Sequence, residues 1–100
     1  MPVAIHPGEY LKELLEELRI SQSAFADTIG VSSMRISHVI NGSRPVTAEL
    51  ALLFGKAFGQ SAEYWLNLQT AFDLAHARNA ASPRLKRLRP LPAARSAAQS

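Results

Sequence analysis

The 100-residue chain contains no cysteine, which excludes disulfide bonds and thiolate metal sites and makes an intracellular compartment the simplest interpretation. It also lacks any apolar run near the roughly 20 residues that a membrane-spanning helix needs. The segment MPVAIHPGEY has no basic stretch followed by an apolar one, which a secretory signal would show. We therefore expect a cytoplasmic protein without a membrane partner.

Catalytic signatures are missing as well. The sequence has neither a glycine-rich phosphate-binding loop nor the G-x-S-x-G pattern of a serine nucleophile. The three histidines, His6, His38 and His76, fall on three different predicted helices without a thiol or carboxylate pattern beside them. We therefore expect no enzymatic activity, no metal site and no cofactor.

Acidic residues are absent after Ser82, whereas five of the 11 basic residues lie there: Arg84, Lys86, Arg87, Arg89 and Arg95. The net charge of +3 therefore conceals a preceding part with six basic and eight acidic residues. A unit of that charge neutralises phosphates poorly, so DNA binding would need dimerisation or the basic segment. Three prolines among alanine, serine and arginine predict that residues 81–100 form a disordered basic tail.

Residues 1–80 show the signals of a single all-α domain with five helices. A hydrophobic content of 47% in 100 residues permits one compact core. Pro7 suits the first position of a first helix, and Ser21, Thr47 and Ser61 are suitable N-caps for the second, fourth and fifth. The buried stripe of the first helix is predicted to consist of Leu11, Leu14, Leu15 and Leu18.

Residues 22–41, QSAFADTIGVSSMRISHVIN, carry the pattern of a helix-turn-helix motif. Gly30 can adopt the positive φ of a sharp helix end, and Val31 can plug the angle that follows. Ala26 is small enough for a second helix to cross closely. Ser32 then suits the N-cap of a third helix, whose inward residues are predicted to be Ile36, Val39 and Ile40.

The outward face of this third helix is the candidate site. Its hydroxyl, thioether, guanidinium and imidazole groups could approach base edges in a major groove about 12 Å wide. A solvated helix face is the alternative interpretation. The side chains concerned are Ser33, Met34, Arg35, Ser37 and His38.

The predicted fifth helix has more apolar surface than a small monomer normally exposes. We expect Tyr64, Trp65, Leu68 and Phe72 to contact the same helix of a second copy. The alternative is that Trp65 and Phe72 complete the core of one subunit.

The segments IHPGEYLKELLEEL and SAEYWLNLQTAFDL, together with the helix-turn-helix pattern, resemble the HigA-like antitoxins of the lambda-repressor-like, XRE-type helix-turn-helix group. The likeness covers about residues 5–78 and leaves the basic tail outside it. It implies a homodimer that binds double-stranded operator DNA, represses its own operon and neutralises a small basic toxin, an mRNA endonuclease of the HigB/RelE type.

Matched position by position, the resemblance places Ser33, Met34 and His38 at base-reading positions, with Ser32 and Ser37 at their edges. It assigns phosphate contacts to Gln22, Arg35, Asn41 and Arg44. Serine, methionine and histidine discriminate bases less well than a bidentate arginine, so shape is expected to contribute to recognition.

The first helix carries an acidic face made of Glu9, Glu13, Glu16 and Glu17. This face is either a solvated surface in which Lys12 pairs with a neighbouring glutamate, or a docking surface for the basic toxin. Two other functions stay open: a stand-alone XRE-type repressor without a toxin, and a protein-binding module with little DNA affinity.

Overall fold

The structure, a computed structural model, describes residues 4–92. Within this range it contains five α-helices and no strand, which confirms the predicted fold class. The helices are α1 (Pro7–Leu18), α2 (Gln22–Ile29), α3 (Ser33–Ile40), α4 (Ala48–Phe58) and α5 (Ala62–Arg87). None of these helices combines the length and the apolar character that crossing a membrane requires.

Four of the five helices begin at the hydroxyl residues predicted from the sequence. The side chains of Ser21, Ser32, Thr47 and Ser61 each accept a hydrogen bond from the backbone N–H three residues later, at distances of 3.1–3.2 Å. A cap of this kind contributes about 1 kcal/mol, because it satisfies a donor that the helix itself leaves unpaired. These starts are local in origin, which explains why the sequence predicted them.

The start of α1 is different, because its N-cap is His6. The imidazole Nδ1 accepts a hydrogen bond from the backbone N–H of Gly8 at 2.9 Å, and the ring is almost fully buried. Its edge packs on Phe72 of α5, with ring centroids 4.8 Å apart. His6 therefore caps one helix and joins it to another, a role that the sequence analysis did not predict.

Gly8 brings the first turn of α1 against the end of α3. A Cβ atom at this position would collide with the backbone carbonyl oxygen of Val39. The backbones of α1 and α3 can therefore touch only because residue 8 has no side chain. This contact fixes the distance between α3 and α1.

The core lies between all five helices. Leu11 and Leu15 of α1 are buried as predicted, but Leu14 is only half-buried and Leu18 is 54% exposed, so the predicted stripe was too long. Leu18 is the last residue of α1, where the chain leaves the core. The other buried apolar side chains are Phe25, Ala26, Ile36, Val39, Val46, Leu50, Ala51, Phe54 and Trp65.

Trp65 lies at the centre of this core with no exposed surface. Its ring packs against Phe54 and Tyr10, with centroids 5.0 and 5.2 Å away, and its indole N–H donates a hydrogen bond to Gln60. A side chain enclosed by its own chain has no surface to offer a partner. The prediction that Trp65 contacts a second copy is therefore wrong, and the alternative, completion of one subunit's core, holds for this residue.

Helix α5 continues further than the sequence indicated. It runs to Arg87 with Pro83 inside it, so the prediction of disorder is wrong for residues 81–87. Extending an existing helix adds one hydrogen bond for each residue fixed, whereas starting a new helix is costly. The anchored first half of α5 supplies that start. Residues 93–100 of the predicted tail, including Arg95, lie outside the described residues.

Acidification is predicted to destabilise the fold through His6. Burial lowers the pKa of His6 below its usual value of about 6.5, although Asp73 and Glu9 oppose this effect. The unfolded chain then binds the proton more readily than the folded one. The stability that His6 contributes is complete above the unfolded pKa and is lost as the pH falls through the folded pKa.

The measurement is the thermal midpoint of unfolding between about pH 7.5 and about pH 5, on either side of the ordinary histidine pKa. His6→Asn keeps a capping side chain that does not titrate there, so this variant should lose less stability on acidification than the wild type. His76→Gln, at an exposed position of α5, is the control and should retain the wild-type pH dependence. Equal losses in the wild type and His6→Asn would contradict the prediction.

Candidate nucleic-acid interface

The corner between α2 and α3 has the geometry that the motif predicted. Gly30 ends α2 with a φ of 76°, and the backbone N–H of Val31 donates to the carbonyl of Ala26 at 3.0 Å. Ala26 is fully buried where the two helices approach each other. The turn is therefore held by backbone hydrogen bonds and by a side chain small enough to allow the close approach.

Helix α3 presents one face to the core and the opposite face to solvent. Ile36 and Val39 are fully buried, whereas Ser33 is exposed and Met34 is 66% exposed. Ser37 and His38 are half-buried along the side of the helix. Polar and apolar groups are thus accessible on the outer face of a short helix, which is the arrangement that entry into a major groove requires.

Arg35 lies at the side of this face, half-buried rather than enclosed. Its Nη2 atom is 2.9 Å from Oε1 of Glu49, in the first turn of α4, and its side chain remains 39% exposed. Arg35 is therefore accessible, but its charge is partly compensated by a carboxylate. Nothing in the sequence indicates Glu49 as a partner of Arg35, because an acidic residue in a first helical turn is ordinary and its distance from Arg35 depends on the loop between the helices.

The loop from α3 to α4 is held by its own hydrogen bonds. The carbonyl of His38 accepts from the backbone N–H groups of Ser43 and Arg44 at 3.0 and 3.1 Å, and Asn41 Oδ1 accepts from Ser43 N–H. Further along, the backbone N–H of Val46 donates to the buried Gln69 of α5 at 2.7 Å. These bonds fix the Asn41 side chain and the backbone that carries Arg44 relative to α3.

An open groove of about 440 Å³ runs between α3, this loop and the start of α4. Most of the predicted contact residues surround it. Ser33, Ser37 and Asn41 belong to the same helix or its cap. The predicted residues that line the groove itself are Ser32, Met34, Arg35, His38 and Arg44.

Gln22 lies apart from this groove. It is the first residue of α2 and lines a smaller depression of about 240 Å³ with Lys12 and Glu16 of α1. The structure therefore brings together the α3 and loop residues of the predicted site and places Gln22 at a separate position, exposed beside α1.

The acidic face of α1 is present as a surface. Glu9, Glu13, Glu16 and Glu17 are all exposed, and Lys12 forms no ion pair with any residue of the range 4–92. Glu13 borders a small groove of about 150 Å³ that Tyr10 and Tyr64 also line. The carboxylates are therefore not neutralised by the predicted lysine, and Glu13 lies next to apolar surface.

The three histidines do not come together. In the part of the chain that the structure describes, no three histidine or carboxylate side chains lie close enough to share a metal ion. His6 is used as a helix cap, and His38 belongs to the candidate interface.

Comparison with known proteins identifies the family of this chain. The helix-turn-helix family model matches residues 11–65. The antitoxin HigA-1 of Vibrio cholerae serotype O1 is 40% identical over 91 residues, which cover 90% of this chain and 84% of the relative.

Two solved structures of similar proteins superpose on most of the chain. An addiction module antidote protein of the HigA family from Coxiella burnetii has a TM-score of 0.86 at 35% identity, covering 90% of this chain and all of the other. The Pseudomonas aeruginosa antitoxin HigA, solved with the higBA promoter, has a TM-score of 0.83 at 36% identity, covering 88% and 98%. The chain therefore belongs to the HigA-like antitoxins of the XRE-type helix-turn-helix family.

Proposed function

We propose that this protein is a DNA-binding antitoxin that represses its own operon and neutralises a small basic toxin. The observation that carries the proposal is the exposed outer face of α3, held at a fixed height by the Ala26 corner and by Gly8. A similar protein, the Pseudomonas aeruginosa antitoxin HigA, was solved with the higBA promoter, which supports DNA binding by this chain.

In this proposal α3 enters the major groove of the operator. Ser33, Met34 and His38 face base edges, and Ser32 and Ser37 lie at the border of the contact. Phosphate contacts come from Arg35, Asn41 and Arg44 on one side, and from Gln22 at the start of α2 on another. None of the base-facing side chains makes a bidentate pair with guanine or adenine, so the shape of the DNA supplies part of the specificity.

Two copies are needed to read two half-sites about one helical turn apart. The exposed side of α5 supports a contact between copies, because Tyr64 is 42% and Leu74 45% exposed, and Leu68 and Phe72 are half-buried. Trp65 has no part in this contact. The 26 residues of α5 extend about 39 Å, long enough for a substantial helix pair.

The toxin is proposed to bind the acidic face of α1. The exposed glutamates attract a basic protein over a distance of about a Debye length, roughly 8 Å at physiological salt. Beside Glu13, the side chain of Ile5 is 61% exposed and offers apolar surface for a closer contact. This combination suits a partner that is an mRNA endonuclease of the HigB/RelE type, since such toxins are basic.

Introducing a negative charge on the α3 face is predicted to weaken operator binding. Ser33→Glu places a carboxylate at the first position of α3, where the helix dipole tolerates it, so the fold should remain intact. Repulsion from the DNA should lower affinity about tenfold or more. Fluorescence anisotropy with a labelled duplex from the region upstream of the chain's own gene measures this change.

The control is Thr28→Glu, which adds the same charge at an exposed position of α2 outside the α3 groove. It should bind the duplex within about twofold of the wild type, because screening weakens charges more than a Debye length away. Unchanged affinity of Ser33→Glu, with both variants folded, would remove α3 from the interface and favour a protein-binding module.

Leu74→Glu is predicted to shift a dimer toward monomer. The side chain is 45% exposed on α5, so the substitution leaves the subunit core intact while placing a charge in the proposed contact. Sedimentation velocity should show the shift. Leu52→Glu, the same exchange at a 65% exposed position of α4, should leave the distribution unchanged. A wild type that sediments as a monomer, or equal behaviour of both variants, contradicts the proposed interface.

Charge reversal on α1 is predicted to slow toxin association. The probe is the product of the neighbouring open reading frame, expected to be a basic protein of roughly 100 residues on the logic of oppositely charged partners. Glu13→Lys combined with Glu17→Lys should lower the association rate about tenfold and remove most of its salt dependence. Stopped-flow mixing at two salt concentrations measures both.

Glu63→Lys combined with Asp27→Lys, at exposed positions of α5 and α2, changes the net charge by the same amount and is the control; it should have a smaller effect. A neighbouring gene that encodes no basic protein would favour the stand-alone repressor. Association rates that do not respond to the α1 reversals would remove this face from the toxin interface.

A further inference from the structure

The ion pair between Arg35 and Glu49 joins the two elements that border the α3 groove. Within residues 4–92 it is the only ion pair, with Nη2 and Oε1 2.9 Å apart. Glu49 is the second residue of α4, and its side chain is 68% exposed. A carboxylate therefore stands at the edge of the surface that is proposed to meet phosphate.

Helix stability accounts for a carboxylate in the first turn of α4, because it interacts favourably with the helix dipole, but it does not account for the ion pair with Arg35. Solvent competes with an ion pair as exposed as this one, so it adds little to stability. The start of α4 is already capped by Thr47, whose hydroxyl accepts from the N–H of Leu50. For DNA binding alone, Glu49 is unfavourable, because it repels phosphates and neutralises a cation that would attract them. The pairing of Glu49 with Arg35 therefore points to a role in distinguishing one DNA sequence from another.

We propose that Glu49 is a specificity-determining residue, which holds Arg35 and so suppresses binding to random DNA more than binding to the operator. This inference rests on the proposed function, since it assumes that α3 reads DNA. The chemistry is simple: Arg35 has five N–H donors in a rigid fork, and Glu49 engages the Nη2 end. The remaining donors point in a direction that the carboxylate sets.

The two kinds of DNA use Arg35 differently. Nonspecific binding depends on mobile cationic side chains that can contact the phosphates of any DNA sequence. Holding and neutralising one of these side chains therefore weakens nonspecific binding directly. In the operator complex the groove fits closely, and a phosphate or base edge meets the donors that Glu49 leaves available. In that complex the ion pair with Glu49 has already ordered the Arg35 side chain, so less entropy is lost on binding. This gain offsets part of the repulsion between Glu49 and the phosphates.

The test compares the wild type with Glu49→Gln, which keeps the size of the side chain and removes its charge. One probe is a duplex of about three helical turns from the region upstream of the chain's own gene, and the other has the same composition in scrambled order. Affinity for the scrambled duplex should rise about threefold or more, with a salt slope steeper by about 0.9, as one more phosphate is neutralised. Affinity for the upstream duplex should change by less than about twofold.

Glu63→Gln is the matched control. Glu63 occupies the same second position in α5, behind Ser61 and Ala62, as Glu49 does in α4 behind Thr47 and Ala48, but it has no cationic partner within residues 4–92. This variant removes the same charge from the same helical position. It should leave the ratio of the two affinities unchanged.

A double variant tests whether Glu49 acts through Arg35. Because Glu49 is proposed to act through Arg35, adding Glu49→Gln to an Arg35→Ala background should no longer alter the affinity ratio. The inference is overturned if the ratio still falls without Arg35, if Glu49→Gln raises both affinities equally, or if it behaves like Glu63→Gln. A wild type that does not distinguish the two duplexes overturns the proposed function itself, and this inference with it.

Discussion

The candidate interface depends on how closely α3 can approach the helices beneath it. Two residues without a large side chain permit that approach, Ala26 at the α2–α3 corner and Gly8 against the carbonyl of Val39. Interiors are packed to crystalline density, so neither position has room to adjust. Because both contacts involve the backbone or a methyl group, α3 is held at one height and one angle. The backbone positions from which the exposed side chains extend are therefore fixed, and groove recognition requires a helix held in this way.

The buried core and the outer face of α3 are connected through polar contacts as well as through apolar packing. Gln69, buried on α5, accepts from the backbone of Val46 and donates to Asp73, so the loop after α3 is tied to the longest helix. His6 caps α1 and packs on Phe72 of the same helix. Helix α5 therefore supports the loop that carries Arg44 while its outer side remains available for a second copy. Dimer contact and DNA contact would share one rigid support.

Electrostatics divide the molecule into surfaces with different uses. The basic residues are concentrated near the end of α5 and beyond it, four of the six glutamates lie on α1, and the outer face of α3 carries few charges of either sign. The pairing of Arg35 with Glu49 fits a site in which affinity for DNA as such is kept low, so that fit to one sequence decides binding.

The sequence by itself determined the helix starts, the α2–α3 corner and the outward face of α3, because caps, glycine turns and helical periodicity involve residues only a few positions apart. It could not determine that Trp65 is enclosed by Tyr10 and Phe54, that His6 meets Phe72, or that Glu49 reaches Arg35. Those contacts join residues far apart in the chain or on separate helices. Their existence depends on how the helices cross, and packing decides that only when the whole core assembles. The tertiary structure also decided the length of α5. Its first half is anchored in the core, and the helix continues from there into a segment whose local composition indicated disorder.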